Sequence, residues 1–214
     1  MKLKVNIGCG STPTEGWKNF DNTPAIKLAH SPFKFWILKL FGLINPSQIE
    51  NVEWNKENKI LFADATKRIP LSDSSAECIY SSHMFEHLSR DEAILFLKDA
   101  LRVLDNGGVL RISVPDLRYF INNYIANKDA DEFMSKMFVS APSLNLLRQK
   151  FILFFVGYRH HQWMYDGASL SKLMLESGFK DAIVQDAGET CIKNFIGLNL
   201  FEREEESVYV EAIK

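Results

Sequence analysis

The sequence predicts an α/β fold built on one doubly wound, mostly parallel sheet of seven strands, and three observations carry that prediction. The strand-like run Val5-Asn6-Ile7 breaks directly into Gly8-Cys9-Gly10. Strand-like and helix-like periodicities alternate along the chain. The composition of the 214 residues, 46% hydrophobic and 24% charged, is that of an ordinary folded domain. Repeated strand-helix units pair their strands in parallel through right-handed crossovers, and the resulting sheet is covered on both faces. Ligands of such sheets sit at the carboxyl ends of the strands, where the strand order reverses, and Gly8 to Gly10 lie at such an end.

The elements follow in order. Strand one covers Leu3 to Ile7, a short second strand ends at Phe20-Asp21, a third runs from Lys59 to Ala63, and a fourth from Ala76 to Ser81. Helical spacing then takes over: Ala93, Ile94, Leu97, Leu101 and Leu104 recur at intervals of three and four, after Ser89 as N-cap with Glu92 completing a capping box. Asn106-Gly107-Gly108 is expected to end that helix. Val109 to Val114 reads as a buried strand closed by Pro115, and Asp116 can cap the next helix. Residues 116 to 156 read as largely helical, longer than a plain crossover requires, and are expected to form an inserted cap. Asp166 to Ser177 is a further amphipathic helix, with Leu170, Leu173 and Met174 on one face and Gly178 as its stop. Strands at Ala182 to Gln185 and Ser207 to Ile213 complete the seven. A single domain over 1–214 is expected, with substrate-side insertions at 24–55 and 116–158.

Composition narrows the function classes. A formal charge of −2 gives no general electrostatic reason to bind nucleic acid or an anionic membrane. Cys9, Cys78 and Cys191 are odd in number, far apart and without paired spacing, so neither a disulfide framework nor a zinc site is indicated, and a reducing compartment fits. The acidic and histidine residues show no compact ligand spacing, and no metal is expected. Met1 to Lys4 lead straight into the first strand without the layout of a secretory signal, so the expected location is cytoplasmic. The apolar stretches Phe33 to Phe41 and Phe151 to Val156 are too short to span a bilayer; burial, a lid or a peripheral membrane contact remain open for each.

A Gly-x-Gly after a strand can be a bare tight turn, or it can let the backbone approach a ligand closely. A dinucleotide fingerprint needs a third glycine where this chain has Pro13, which disfavours a nicotinamide oxidoreductase, and no Gly-Lys-Ser/Thr follows to make a phosphate loop. Asp21 ends the second strand and Asp64 the third. A carboxylate at the first place can accept from both ribose hydroxyls and one at the second from an adenine amino group, so adenosine without a pyrophosphate fits best.

Taken together, Asn6-Ile7-Gly8-Cys9-Gly10, Gly16-Trp17-Lys18-Asn19-Phe20-Asp21, Ala63-Asp64-Ala65, Ile69-Pro70-Leu71, Ser81-Ser82-His83-Met84-Phe85-Glu86-His87-Leu88 and Leu101 to Gly108 resemble the ordered motifs of Rossmann-like class I S-adenosylmethionine-dependent methyltransferases. His161 to Asp166 and the closing Tyr209 to Lys214 resemble a bacterial branch of methyltransferases associated with surface-polysaccharide gene sets. The resemblance covers residues 3 to 115 and, more weakly, 160 to 214. It implies S-adenosylmethionine as cofactor, with Gly8, Cys9 and Gly10 beneath the methionine part, Asp21 on the ribose, Asp64 with Ala65 at the adenine edge, and Ser82 and His83 bordering the sulfonium. Only about eleven residues separate Gly10 from Asp21, so the family's first helix is expected to be short or missing.

The implied reaction is O-methylation of a carbohydrate or related small metabolite; a catalytically silent binding or regulatory module is the alternative. A hydroxyl acceptor is helped by a general base, and a histidine suits neutral pH. His83 follows the fourth strand at the carboxyl edge, Glu86 and His87 lie a turn further on, and His160 or His161 is a further candidate. Arg159, His160 and His161, with Arg148 and Lys150, can form a positive rim for an anionic sugar derivative, or a solvated basic face. Trp163, Met164 and Tyr165 can line the acceptor pocket or belong to the core. Acceptor identity and oligomeric state are not encoded in any feature recognised in the sequence.

Overall fold

The fold, taken from a computed structural model, is described for residues 2–139 and 160–214. Its strands are β1 (Leu3–Ile7), β2 (Lys18–Asp21), β3 (Leu61–Phe62), β4 (Ala76–Ser82), β5 (Leu104–Pro115), β6 (Asp181–Gln185) and β7 (Ser207–Ile213), which form one sheet in the order β3-β2-β1-β4-β5-β7-β6. The first five strands pair in parallel, and β7 lies antiparallel between β5 and β6. This is the expected mostly parallel, doubly wound sheet of seven strands. Its order reverses between β1 and β4, whose carboxyl ends therefore open onto a crevice. The helices are α1 (Pro24–Ala29), α2 (Pro32–Leu40), α3 (Pro46–Glu57), α4 (Arg90–Val103), α5 (Leu117–Asn127), α6 (Ala130–Met137) and α7 (Gly167–Glu176).

Local chemistry sets most of the boundaries. Ser89 caps α4, its hydroxyl accepting from Glu92 N–H at 3.4 Å while the Glu92 carboxylate accepts from Ser89 N–H at 2.8 Å. Asp116 caps α5 and Asp166 caps α7 in the same way, accepting from Arg118 and Ser169 N–H. The end of α4 differs from expectation. It stops at Val103, because Ser74 and Ser75 N–H take the last carbonyls, of Arg102 and Val103, and draw the chain into pairing with β4. Asn106-Gly107-Gly108 instead form a bulge inside β5, where Leu104 pairs with Ala76 and Val109 with Cys78. β3 is also shorter than the expected Lys59 to Ala63, since Lys59, at φ 53°, still belongs to the turn that closes α3.

Alternation along the strands divides the core. Val5, Ile7, Ile79, Leu110, Ile112, Val208 and Val210 face α4 and α7, packing with Phe96, Leu97, Leu170 and Met174 in the main buried cluster. On the opposite face, Trp17, Cys78, Tyr80 and Val109 pack with Ile192, Leu198 and Leu200 from the long β6–β7 connection. No helix lies between β1 and β2, as the short spacing implied, and this connection covers the face in its place. Trp17 Nε1–H donates to the Ile196 carbonyl at 3.1 Å. Beneath it, Arg111 and Glu211, both fully buried, pair across β5 and β7 at 2.7 Å.

The two insertions are helical where described. Residues 24–57 hold α1 to α3, which pack at the β2–β3 edge through Cys9, Ile26 and Ile60. Helix α2 buries no residue; Phe33, Trp36, Leu40 and Phe41 are exposed. Helices α5 and α6 stand over the carboxyl end of β5 as the expected cap begins. The rest of that cap, including the apolar stretch 151–156 and the basic residues Arg148, Lys150 and Arg159, lies outside the described residues. No described helix is long and apolar enough to cross a membrane.

Candidate active site

A cleft of about 880 Å³ opens at the carboxyl ends of β1, β2, β3 and β4 and runs under the cap. Its size suits a small cofactor together with an acceptor. One wall carries Gly8, Gly10, Asp21, Thr23, Ala63, Ala65 and Thr66; the other carries His83, Glu86, His87 and His161, with Phe120 and Phe138 from the cap side.

The first wall is shaped by the glycine loop. Gly8 has φ 74°, and a Cβ there would sit 2.5 Å from Met84 Cγ, so only glycine fits. Gly8 and Cys9 N–H both donate to the Phe20 carbonyl, which fastens the loop to β2. Gly10 N–H donates to Asp21 Oδ2 at 3.0 Å, while Thr23 N–H and hydroxyl donate to Asp21 Oδ1. A carboxylate has about four lone-pair positions, so with three in use Asp21 is held rigidly and keeps acceptor capacity toward the cleft.

The other sequence candidates on this wall divide. Ala65 lines the cleft; Asp64 does not, its carboxylate accepting from Thr66 N–H and hydroxyl and pairing with Lys67 at 3.2 Å. Burial works to raise the Asp64 pKa, but the Thr66 hydrogen bonds and the Lys67 ammonium hold it below the usual carboxylate range. Cys9 contributes backbone only: its thiol is buried with Ile26 and Ile60, and burial, followed by the Asp21 charge, pushes its pKa up to about 12. Ser82 ends β4 outside the cleft lining.

The opposite wall brings His161, distant in sequence, against His83, Glu86 and His87. His83 follows β4 in left-handed backbone at φ 48°, with its N–H donating to the Ser113 carbonyl at 2.9 Å. Its Nε2 lies 3.0 Å from Ser207 Oγ and its Nδ1 3.5 Å from Glu86 Oε1. Glu86, 1% exposed, has neither carboxylate oxygen hydrogen-bonded by the described protein. His87 Nε2 is 4.0 Å and His161 Nε2 3.9 Å from the same Oε1. The chain around His161 is fixed to this turn, since Gln162 and Trp163 N–H donate to the Glu86 carbonyl. Burial lowers the His161 pKa; Glu86 works against that and His87 adds to it. His160 joins through its carbonyl, 3.2 Å from His87 Nδ1.

Sequence reasoning placed neither Thr23 and Thr66 nor Phe120, Lys136 and Arg203 in the site, and each enters because the fold folds a helix or loop over the sheet edge. Their only linear signal was proximity: Thr23 and Thr66 each follow a strand-end aspartate by two residues. Lys136 and Arg203 supply the positive charge among the described residues at the cleft. Trp163 and Tyr165 do not line it: Trp163 lies under Arg90, and Tyr165 is core, 5.2 Å from the Phe85 ring.

Residues 43–112, about a third of the chain, match the family described as "Methyltransferase domain". The fold is similar to that of a SAM-dependent methyltransferase from Methanosarcina mazei, at 14% identity and TM-score 0.52 over 100% of this chain and 92% of that one. It is also similar to the structure titled "PigF with SAH", at 13% identity and TM-score 0.51 over 100% of this chain and 50% of that one. No curated protein matches. The methyltransferase-domain match runs from before α3 into β5, within a sheet whose point of reversal carries the glycine loop, and the fold is the Rossmann-like one of these SAM-dependent methyltransferases.

Proposed function

We propose that the chain transfers the methyl group of S-adenosylmethionine to a hydroxyl oxygen of a carbohydrate or a related small metabolite. The observation that carries this reading is the facing of the two walls: the glycine loop and Asp21 on one side, and His83 with the buried Glu86 on the other, in one cleft. In it, Gly8, Cys9 and Gly10 underlie the methionine part of the cofactor, Asp21 takes the ribose, Ala65 and the Asp64 turn border the adenine, and His83 borders the sulfonium.

Methyl transfer is an in-line displacement, and alignment of oxygen, methyl carbon and sulfur supplies most of what the protein contributes, up to about 7–11 kcal/mol in favourable systems. A base then removes the hydroxyl proton. When Nε2–H of His83 donates to Ser207 Oγ, Nδ1 is left with a lone pair that has no hydrogen-bond donor, facing the Glu86 side of the cleft. His83, which lines the cleft beside Glu86, is the base, and Glu86, His87 and His161 form the acceptor end of the site. An anionic sugar derivative would be met by Lys136 and Arg203, which pair with Glu132 at 2.7 Å and Glu206 at 4.0 Å. Within one domain over 1–214, the insertions 24–55 and 116–158 choose the acceptor. The weak net charge favours a small molecule over nucleic acid, and the three unpaired cysteines fit a reducing, cytoplasmic setting, with α2 as a peripheral membrane contact and surface-polysaccharide synthesis as the context.

Calorimetric titration with S-adenosylmethionine, S-adenosylhomocysteine and NAD tests the cofactor half. A screen of sugars and nucleotide-linked sugars, read as S-adenosylhomocysteine release and an O-methyl product, tests the other. Tight binding of both adenosyl compounds, none of NAD, and a methylated hydroxyl are expected. Binding without transfer to any hydroxyl acceptor would favour the silent module instead.

A further inference from the structure

We infer that Glu86, His87 and His161 bind a divalent transition-metal ion, of which Zn²⁺ fits best, with an open coordination position facing the acceptor end of the cleft. The inference deepens the O-methylation reading and rests on it for the metal's role, though not for its binding.

Donor chemistry is the first ground. His87 Nδ1 lies 3.2 Å from the His160 carbonyl and His161 Nδ1 2.8 Å from the Met137 carbonyl. A carbonyl oxygen only accepts, so both rings carry their proton on Nδ1 and, when neutral, present an Nε2 lone pair. Both lone pairs are aimed at one oxygen of an ionisable carboxylate, 4.0 and 3.9 Å away. Electron pairs converging on a carboxylate repel one another unless a proton or a metal cation stands among them, and a single metal ion can serve both rings and the carboxylate at once. Donation of the second ring N–H to a backbone carbonyl is also how metal-bound histidines are generally oriented.

Glu86 is the second and independent ground. It is 1% exposed, yet neither oxygen has a hydrogen-bond partner among the described residues. A buried carboxylate in that condition is costly unless it is paired or coordinates a metal. The three ligand atoms lie within 4.8 Å of one another. Tetrahedral zinc, with bonds of about 2.0–2.2 Å, sets its ligand atoms roughly 3.3–3.6 Å apart, so side-chain shifts of under about 1 Å close the site. Two imidazoles and one carboxylate suit a borderline ion and leave the fourth position free, as in catalytic zinc sites. All three residues line the cleft, so that free position is reachable by the acceptor.

A hydroxyl bound there would lose its proton more readily, as zinc-bound water does. The O–H pair then forms the bond to the methyl carbon, the S–CH₃ pair returns to sulfur to give S-adenosylhomocysteine, and the proton passes to His83.

The test uses the full chain, stripped with a chelator and titrated with Zn²⁺ in the absence of methyl donor, with elemental analysis of the dialysed complex. A single equivalent is expected. His87→Asn and His161→Asn keep a side-chain N–H where Nδ1–H stood and delete Nε2; each should weaken Zn²⁺ binding at least about tenfold, the lower end of the loss seen when even outer-shell partners are removed. Thermal unfolding confirms that each variant is folded, and Cys191→Ser removes the exposed thiol as a competing site. No Zn²⁺ uptake, or uptake unchanged in both folded histidine variants, overturns the inference. Titration of the same samples with S-adenosylhomocysteine reports on the methyltransferase site separately, so either reading can fail alone.

Discussion

The Asp21 carboxylate accepts from the backbone N–H of Gly10 at 3.0 Å, which ties the end of β2 to the loop leaving β1. The same carboxylate accepts from both donors of Thr23. One side chain thus fixes the shape of the glycine loop and the entry to α1. Asp21→Ala should remove these bonds and the proposed ribose contact, each charge-assisted bond being worth about 1.5–3 kcal/mol, and weaken S-adenosylhomocysteine binding at least tenfold. Calorimetry on a variant with unchanged circular dichroism checks this; unchanged affinity would remove Asp21 from the cofactor site.

Gly8 and Gly10 both have positive φ, but only Gly8 is crowded: a Cβ would meet Met84 Cγ at 2.5 Å there, and nothing within 4 Å at Gly10. Gly8→Ala should cost about 2–5 kcal/mol, the left-handed penalty plus overpacking, and Gly10→Ala about 1–2 kcal/mol. Denaturant unfolding of the two variants side by side measures the difference. Equal losses would mean that Met84 yields freely.

His83→Asn tests the base. Asparagine tolerates the left-handed conformation at φ 48° better than most residues, so the backbone should persist. Methyl transfer should fall by about 10²–10⁴-fold while S-adenosylhomocysteine affinity stays within a few-fold. Retained turnover would assign proton removal elsewhere.

The Arg111–Glu211 pair holds the β6–β7 connection against the sheet. Glu211 also accepts from Thr190 Oγ1–H and Cys191 N–H, both at 2.6 Å, and Arg111 donates to the Glu189 carbonyl at 2.8 Å. Arg111→Met leaves a buried, uncompensated carboxylate and should cost about 3–5 kcal/mol, whereas Arg111→Met with Glu211→Leu should recover part of that loss. Urea denaturation of both variants decides whether the charge or the packing dominates.

Much of this architecture was legible in the linear chain because its causes are local. The run into Gly8-Cys9-Gly10, the Ser89/Glu92 capping box, the Asp116 and Asp166 caps and the spacing of apolar residues in α4 and α7 each act over a few residues, and their elements appear where the sequence put them. The α4 end did not, because main-chain donors at Ser74 and Ser75 compete for its last carbonyls from across the sheet.

By itself, then, the sequence determined the order of strands and helices along the chain and the glycine loop at the end of β1, since periodicity, caps and glycines are properties of neighbouring residues. Tertiary structure alone decided which side chains face the cleft. It hid the Cys9 thiol, buried Arg111 against Glu211, and carried His161 back to Glu86 and His87. Those outcomes depend on pairings between distant segments, and no short-range pattern encodes them.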